Sequence, residues 1–161
     1  QGKALLTLGD VAYDADDMAL SEQMFRQALA YIEEGKAPAD HAHYRLGCVL
    51  QRQGRWRDAD VQFDRLIEQF RGSELARRAG RRVHCVEWTV QAGAFADKRQ
   101  ADLAAERLRG TGLRPNVVPV AEGRGLMFVV QVGRFPTYEQ AARHLEQVRP
   151  HASDAFVFPT R

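Results

Sequence analysis

Side chains of the kinds that act as nucleophiles, bases or metal ligands are present, but their spacing does not assemble a reactive site. His41 and His43 lie two positions apart in a helical pattern, which directs them to different faces of a helix. His84 stands beside Cys85 without a recognisable group to orient it as a base. The two cysteines, Cys48 and Cys85, lack metal-site spacing such as C-x-x-C, although a disulfide between them stays open in an oxidising compartment. We therefore predict no enzymatic activity, no metal site and no cofactor.

A more informative signal is a short segment that occurs twice. Val90–Phe95 reads VQAGAF, and Val130–Phe135 reads VQVGRF. Turning and packing account for the glycine and the phenylalanine of each copy, because each strand needs a tight exit before a helix begins. The glutamines, Gln91 and Gln131, have amide groups that both donate and accept hydrogen bonds. They are the first candidates for contact with a polar ligand.

The elements that must position these glutamines form the second of two predicted domains, residues 86–161. Stretches rich in strand formers (WTVQAGAF, LRPNVVPV, LMFVVQVGRF and DAFVFP) alternate with helical runs at Lys98–Arg109 and Tyr138–Arg149. The AEGRG of Ala121–Gly125 is a predicted hairpin turn. The resulting order, β-α-β-β-α-β, predicts a four-stranded antiparallel sheet with both helices on one face.

Strand alternation assigns the side chains of this sheet to its two faces. The apolar positions predicted to face the helices are Val90, Ala92, Val130 and Val132, with Trp88 and Phe128 in the same parity. The opposite, helix-free face is predicted to carry Thr89, Gln91, Met127, Val129 and Gln131.

The first predicted domain, residues 1–85, has apolar residues at helical spacing and no strand-like alternation. Breaks at Asp14–Asp17, Gly35–Pro38 and Gly54 divide it into helices joined by short polar turns, which pack as helical hairpins. Ser73 is a predicted N-cap of a fifth helix. The residues that repeat between the two hairpins are Gly9 and Gly47, Ser21 and Ala59, and Phe25 and Phe63. The whole chain is thus predicted to be an α+β protein of two domains.

The repeating hairpins resemble the tetratricopeptide repeat, with Leu-Gly in the first helix, small residues where helices touch and an aromatic in the second. The match is incomplete, because the period is longer than usual and Asp16 stands where the second copy has its turn glycine. The resemblance implies a module that recruits a protein partner of the cell envelope or of cell division.

The second domain, from Glu87 to about Phe158, resembles a SPOR domain, the sporulation-related repeat of bacterial envelope proteins. The resembling residues are WTVQAGAF, the helix ADKRQADLAAERLRGTG, the second VVQVGRF and the closing DAFVF. The resemblance implies non-catalytic binding to peptidoglycan glycan strands that amidases have stripped of stem peptides, often at the division septum. It also implies a periplasmic location, with an outer- or inner-membrane anchor outside this sequence compatible with it.

The resemblance also ranks the side chains that would contact a glycan. Gln91 matches the strand-one glutamine of many SPOR domains and is placed first, with Gln131 beside it. Met127 stands where the family often has an aromatic, so Phe156 of the last strand is the candidate for packing against a sugar ring. Arg134 is expected to reach the carboxylate of muramic acid. Thr89 and Val129 complete the predicted set.

Composition adds exclusions and leaves two alternatives. The net charge of +2 does not argue for nucleic acid or an anionic membrane, and no stretch approaches the ~20 apolar residues of a membrane span. The same β-α-β-β-α-β plan serves RNA-recognition domains, but these present aromatics on the two central strands, where this chain offers glutamine, methionine and valine. The other alternative is a protein–protein scaffold in which the sheet domain binds another protein. We expect neither nucleic acid nor membrane to contact this chain.

Overall fold

The computed structural model describes residues 1–122 and 125–161. The chain divides into two compact units, Gln1–Cys85 and Val86–Arg161. The first unit contains only helices and the second combines helices with one sheet, so the predicted α+β class is confirmed. The hairpin turn predicted at Ala121–Gly125 includes positions 123 and 124, which lie outside the described residues.

The first unit is built from helical hairpins. Its helices are α1 (Gly2–Asp14), α2 (Met18–Tyr31), α3 (Ala39–Arg52), α4 (Trp56–Gln69) and α5 (Glu74–Gly80). Helix α1 packs against α2 and α3 against α4, while α3 also contacts α1, α2 and α5. Ser73 is the N-cap of α5 as predicted, since its hydroxyl accepts a hydrogen bond from the backbone N–H of Ala76 at 3.1 Å. In the described part of the chain, no helix combines the length and apolar character needed to cross a membrane.

The two hairpins repeat the same contact between a glycine and an aromatic ring. A Cβ added to Gly9 would lie 2.7 Å from the Phe25 ring, and one added to Gly47 would lie 2.4 Å from the Phe63 ring. Both phenylalanines are completely buried. The absence of a side chain on each glycine therefore allows the paired helices to approach closely enough to enclose the ring.

The second unit has the predicted β-α-β-β-α-β order. Its elements are β1 (Glu87–Phe95), α6 (Lys98–Arg109), β2 (Pro115–Glu122), β3 (Gly125–Phe135), α7 (Tyr138–Val148) and β4 (Phe156–Thr160). The strands form one antiparallel sheet in the order β2-β3-β1-β4. Helix α6 packs on β1, β2 and β3, and α7 packs on β1, β3 and β4.

The core of the second unit lies between the sheet and these helices, where the alternation placed it. Val90, Val130 and Val132 are buried there against Leu108 of α6 and Val148 of α7. The prediction also holds for Trp88 and Phe128, which alternation assigned to the same face of the sheet. The Trp88 ring is buried and meets the ring of Tyr138 on α7 at 5.2 Å, and Phe128 packs against the core.

The repeated Gln-x-Gly-x-Phe segments coincide with irregularities where β1 pairs with β3. The register shifts between Trp88 and Val90 and again between Gln91 and Gly93. Gly133 has a left-handed φ of +74°, which glycine adopts at no steric cost. Each glycine also lies beneath the following aromatic, since a Cβ on Gly93 would approach Phe95 at 2.8 Å and one on Gly133 would approach Phe135 at 2.4 Å.

Candidate functional site

The helix-free face of the sheet carries a row of side chains that crosses all four strands. Gln91 of β1 is paired with Gln131 of β3 on one side and with Phe156 of β4 on the other, and Gln131 is paired with Asn116 of β2. Directly opposed residues of antiparallel strands point to the same face, so these four side chains form one line. We call Phe156, Gln91, Gln131 and Asn116 the sheet-face row. Three strand spacings give it a length of about 14 Å.

The row has a neutral hydrogen-bonding centre. Gln91 and Gln131 are partly exposed and Asn116 is exposed. Within residues 1–122 and 125–161, no hydrogen bond joins these three amides to another protein group. Each amide therefore keeps one carbonyl oxygen and one NH₂ group for a ligand. The arrangement suits a molecule with closely spaced hydroxyl and amide groups and no requirement for charge.

Apolar side chains of β2 and β3 flank the row on one side. Val129 lies beside Val118 of the neighbouring strand, and Met127 lies opposite Val120. Val129 keeps only 6% of its surface exposed, so it offers little area to a ligand. Met127 is more open and lies where the sequence placed it, on the face of the glutamines.

Two aromatic rings lie on the edge strand β4, at one end of the sheet-face row. Phe156 is 45% exposed, and its ring meets that of Phe158 edge to face at a centroid distance of 6.0 Å. Residues two apart on a strand share a face, so both rings lie on the helix-free side. Phe158 was not among the predicted contacts, and the same is true of Asn116. The alternation of PNVVPV contains the signal for Asn116, since it places this residue in parity with Val118.

Thr89 does not belong to the ligand-accessible surface, contrary to the sequence prediction. It is completely buried, and its hydroxyl donates a 2.7 Å hydrogen bond to the backbone carbonyl of Gly133. Gly133 lies where the register between β1 and β3 shifts, so its carbonyl would otherwise lack part of the regular strand pairing. Thr89 therefore holds the irregular strand pairing in place instead of contacting a ligand.

Arg134 is exposed but already has an anionic partner. Its guanidinium donates to the carboxylate of Glu87, with Nε at 2.7 Å from Oε1, and a further N–H contacts the backbone carbonyl of Arg161. The hydrogen bond with Glu87 raises the pKa of Arg134. A ligand carboxylate at this position would therefore have to replace Glu87 as the partner of Arg134.

Groups that could support other chemistry are dispersed. Within residues 1–122 and 125–161, no three His, Cys, Asp or Glu side chains come together to hold a metal ion. Cys48 and Cys85 are buried and no disulfide joins them, so the disulfide alternative is not formed. A cavity of about 420 Å³ lies on the helix side of the sheet, over Ala92 and Val130 and beside Leu108 of α6. It is separated from the sheet-face row by the sheet itself.

Comparison with known proteins gives a family for the C-terminal unit. The family model described as the SPOR domain matches residues 86–159. Among solved structures, the chain is similar to the peptidoglycan-binding domain of the B. subtilis cell wall lytic enzyme CwlC, solved in solution. The identity is 28%, the alignment covers 47% of this chain and 90% of that chain, and the TM-score is 0.39. The search among curated proteins found no match.

Proposed function

With the SPOR domain at residues 86–159 as the premise, we propose that this domain binds the glycan strands of peptidoglycan, and specifically strands without stem peptides. The observation that carries the proposal is the sheet-face row, in which Gln91, Gln131 and Asn116 align across three strands next to Phe156. The family supplies the class of ligand, and the row supplies the surface on which the ligand would lie.

The chemistry of the row matches that of an N-acetylated polysaccharide. Sugar hydroxyls and N-acetyl amides both donate and accept hydrogen bonds, and the three amides of the row complement them in kind. The apolar face of a sugar ring can pack against the exposed ring of Phe156, with Phe158 behind it. The preference for glycan without stem peptides rests on the SPOR family, and the row of about 14 Å supplies the surface along which such a strand would lie.

The helical unit has a separate role in this proposal. Residues 1–85 would recruit a protein partner in cell division or envelope assembly, while the SPOR domain holds that partner at the cell wall in the periplasm. Binding on the sheet is noncovalent and non-catalytic, because the row contains amides and hydrocarbon and no ionisable group to transfer protons.

An RNA-binding role fits this surface less well. RNA-recognition sheets stack bases on aromatic residues of their central strands. Here the central strands β1 and β3 present Gln91, Gln131 and Met127, and the aromatics Phe156 and Phe158 lie on the edge strand β4.

Co-sedimentation with purified peptidoglycan sacculi tests the glycan proposal. We expect the full chain to sediment more strongly with amidase-treated than with untreated sacculi. Gln91→Ala should weaken this binding about three- to tenfold, the effect of losing one or two neutral hydrogen bonds. Gln147→Ala is the matched control, because Gln147 is an exposed glutamine on α7, away from the helix-free face.

Two results would count against the proposal. Absence of binding to either preparation would remove peptidoglycan as the ligand and leave a scaffold that binds protein. Equal effects of Gln91→Ala and Gln147→Ala would retain the ligand but place it away from the sheet-face row. Circular dichroism of both variants establishes that each keeps the native fold.

A further inference from the structure

The helical unit carries a surface in which arginines stack on two tyrosines. The guanidinium carbons of Arg45 and Arg52 lie 5.0 and 5.3 Å from the ring centre of Tyr13. Those of Arg78 and Arg82 lie 5.2 and 5.8 Å from the ring centre of Tyr44. Tyr13 lies on α1, the tyrosine and two arginines of positions 44, 45 and 52 lie on α3, and Arg78 lies on α5, with Arg82 two residues after its end. Helix α3 contacts both α1 and α5. We call these six residues the arginine–tyrosine face.

Stacking prepares an arginine to bind a carboxylate. A guanidinium held over a ring loses less further side-chain entropy on binding than a free one, and its outward N–H groups can still donate hydrogen bonds. Arg78 is the clearest example, because it is exposed and stacks on Tyr44. Within residues 1–122 and 125–161 it has no carboxylate partner, whereas Arg45 is paired with Asp10 at 2.7 Å.

Charge in and around the arginine–tyrosine face is unevenly distributed. Around α5 a single carboxylate, Glu74, is accompanied by Arg71, Arg77, Arg78, Arg81 and Arg82. Glu74 is engaged by Arg77 at 2.6 Å, which further reduces its effect on Arg78. At the α1 end, Asp10 and Asp16 are close to Arg45 and Arg52. Positive charge is therefore concentrated at the α5 end of the face.

We propose that the arginine–tyrosine face binds an acidic peptide segment of a partner protein, with the carboxylates of the segment over Arg78 and the α5 end. The inference rests on the proposed role of residues 1–85 in recruiting a partner and adds the chemistry of that partner. The face disfavours nucleic acid for two reasons. Tyr44 is only 8% exposed beneath its arginines, so its ring is not open for base stacking, and Asp10 and Asp16 would repel a continuous phosphate backbone.

Fluorescence anisotropy of the full chain with a labelled peptide of alternating glutamate and alanine tests this inference. The same peptide with glutamine in place of glutamate and a labelled oligothymidylate are the comparison probes. We expect the glutamate peptide to bind more tightly than both, and its binding to weaken between about 50 and about 300 mM NaCl because the contacts are ionic.

The variants locate the contact. Arg78→Ala should weaken binding about fivefold or more, and Arg78→Lys should give a smaller loss, since the charge remains without the planar stacked group. Arg57→Ala is the matched control, because Arg57 is an exposed arginine on α4 outside the face. Binding to amidase-treated sacculi should be unchanged in Arg78→Ala, which separates this test from that of the glycan proposal.

Each contrary result has a distinct meaning. Equal loss in Arg78→Ala and Arg57→Ala would show a general charge effect and overturn the assigned face. Equal binding of the glutamate and glutamine peptides would overturn the acidic character of the partner. Tighter binding of oligothymidylate than of the glutamate peptide would show that the ligand of the arginine–tyrosine face is nucleic acid and not an acidic peptide.

Discussion

Replacing Gly133 by alanine tests the packing that the repeated Gln-x-Gly-x-Phe segment builds. A left-handed backbone such as the +74° φ of Gly133 costs a residue with a Cβ about 1–2 kcal/mol. The added Cβ would also lie 2.4 Å from the Phe135 ring, which would have to shift against the His144 ring, 5.0 Å away between ring centres. Overpacking of this kind costs about 1–3 kcal/mol. Together the two effects should lower the free energy of unfolding by about 2–5 kcal/mol.

Two other glycines separate these contributions. Gly112 has a φ of +88° with nothing within 4 Å of an added Cβ, so Gly112→Ala should cost only the backbone share, about 1–2 kcal/mol. Gly93 lacks the left-handed φ but an added Cβ would approach Phe95 at 2.8 Å, so Gly93→Ala should cost about 1–3 kcal/mol from overpacking alone.

Urea unfolding of the full chain measures these differences. The chain has two tryptophans, so in a Trp56→Phe background the fluorescence of Trp88 reports on the second unit alone. The expected order of destabilisation places Gly133→Ala above both other variants. If Gly133→Ala costs no more than Gly112→Ala, the Phe135 ring does not lie over Gly133 and the packing argument fails.

Three further predictions concern the sheet face and a buried histidine. Phe156→Ala should weaken sedimentation with amidase-treated sacculi about three- to tenfold with little loss of stability, whereas Leu126→Ala, which removes another exposed apolar side chain, should not. Glycan binding should change less than about twofold between about 50 and about 300 mM NaCl, because the sheet-face row is uncharged, and a steep salt dependence would contradict this. Burial lowers the pKa of His43, with the hydrogen bond to Gln62 at 3.0 Å acting in the opposite direction. The unfolded chain takes up this proton near pH 6.5 and the folded chain only at lower pH, so stability should fall as the pH decreases below about 6.5. Denaturant titrations of the wild type and His43→Gln should show a shallower pH dependence in the variant, and an unchanged slope would exclude His43 as its source.

The order of elements and the two faces of the sheet could be predicted because they depend on local periodicity. Val90, Val130 and Val132 recur with period two, and the helical runs between the strands have their own spacing. The placement of Gln91 and Gln131 on the helix-free face followed from the same alternation and agrees with their direct pairing in the sheet. These signals lie within a few residues of sequence and need no tertiary information.

The errors arose where long-range geometry decides. Thr89 has the parity of an open-face residue, but the irregular pairing of β1 with β3 brings the carbonyl of Gly133 to its hydroxyl. The partner of Arg134 is Glu87, 47 positions away, and only the folded sheet brings the two together. Alternation assigns a side chain to a face but does not show what covers it.

One apparent departure from the repeat pattern disappears in the structure. Asp16 stands where the second hairpin has Gly54, which weakened the comparison between the two copies. The two residues nevertheless have similar backbones, with φ of 63° at Asp16 and 74° at Gly54. Aspartate is among the few residues other than glycine that tolerate this region, so the turn is conserved in shape although the residue differs.

The most direct test of the central claim is an NMR titration of the ¹⁵N-labelled chain with a stem-peptide-free glycan tetrasaccharide of alternating N-acetylglucosamine and N-acetylmuramic acid. The side-chain amide signals of Gln91, Gln131 and Asn116 report on the sheet-face row individually. We predict that these signals and the backbone of Phe156 shift together and saturate together, while signals from the helix-side cavity stay in place. Shifts confined to the helix side, or no shifts at saturating glycan, would contradict binding at the sheet-face row.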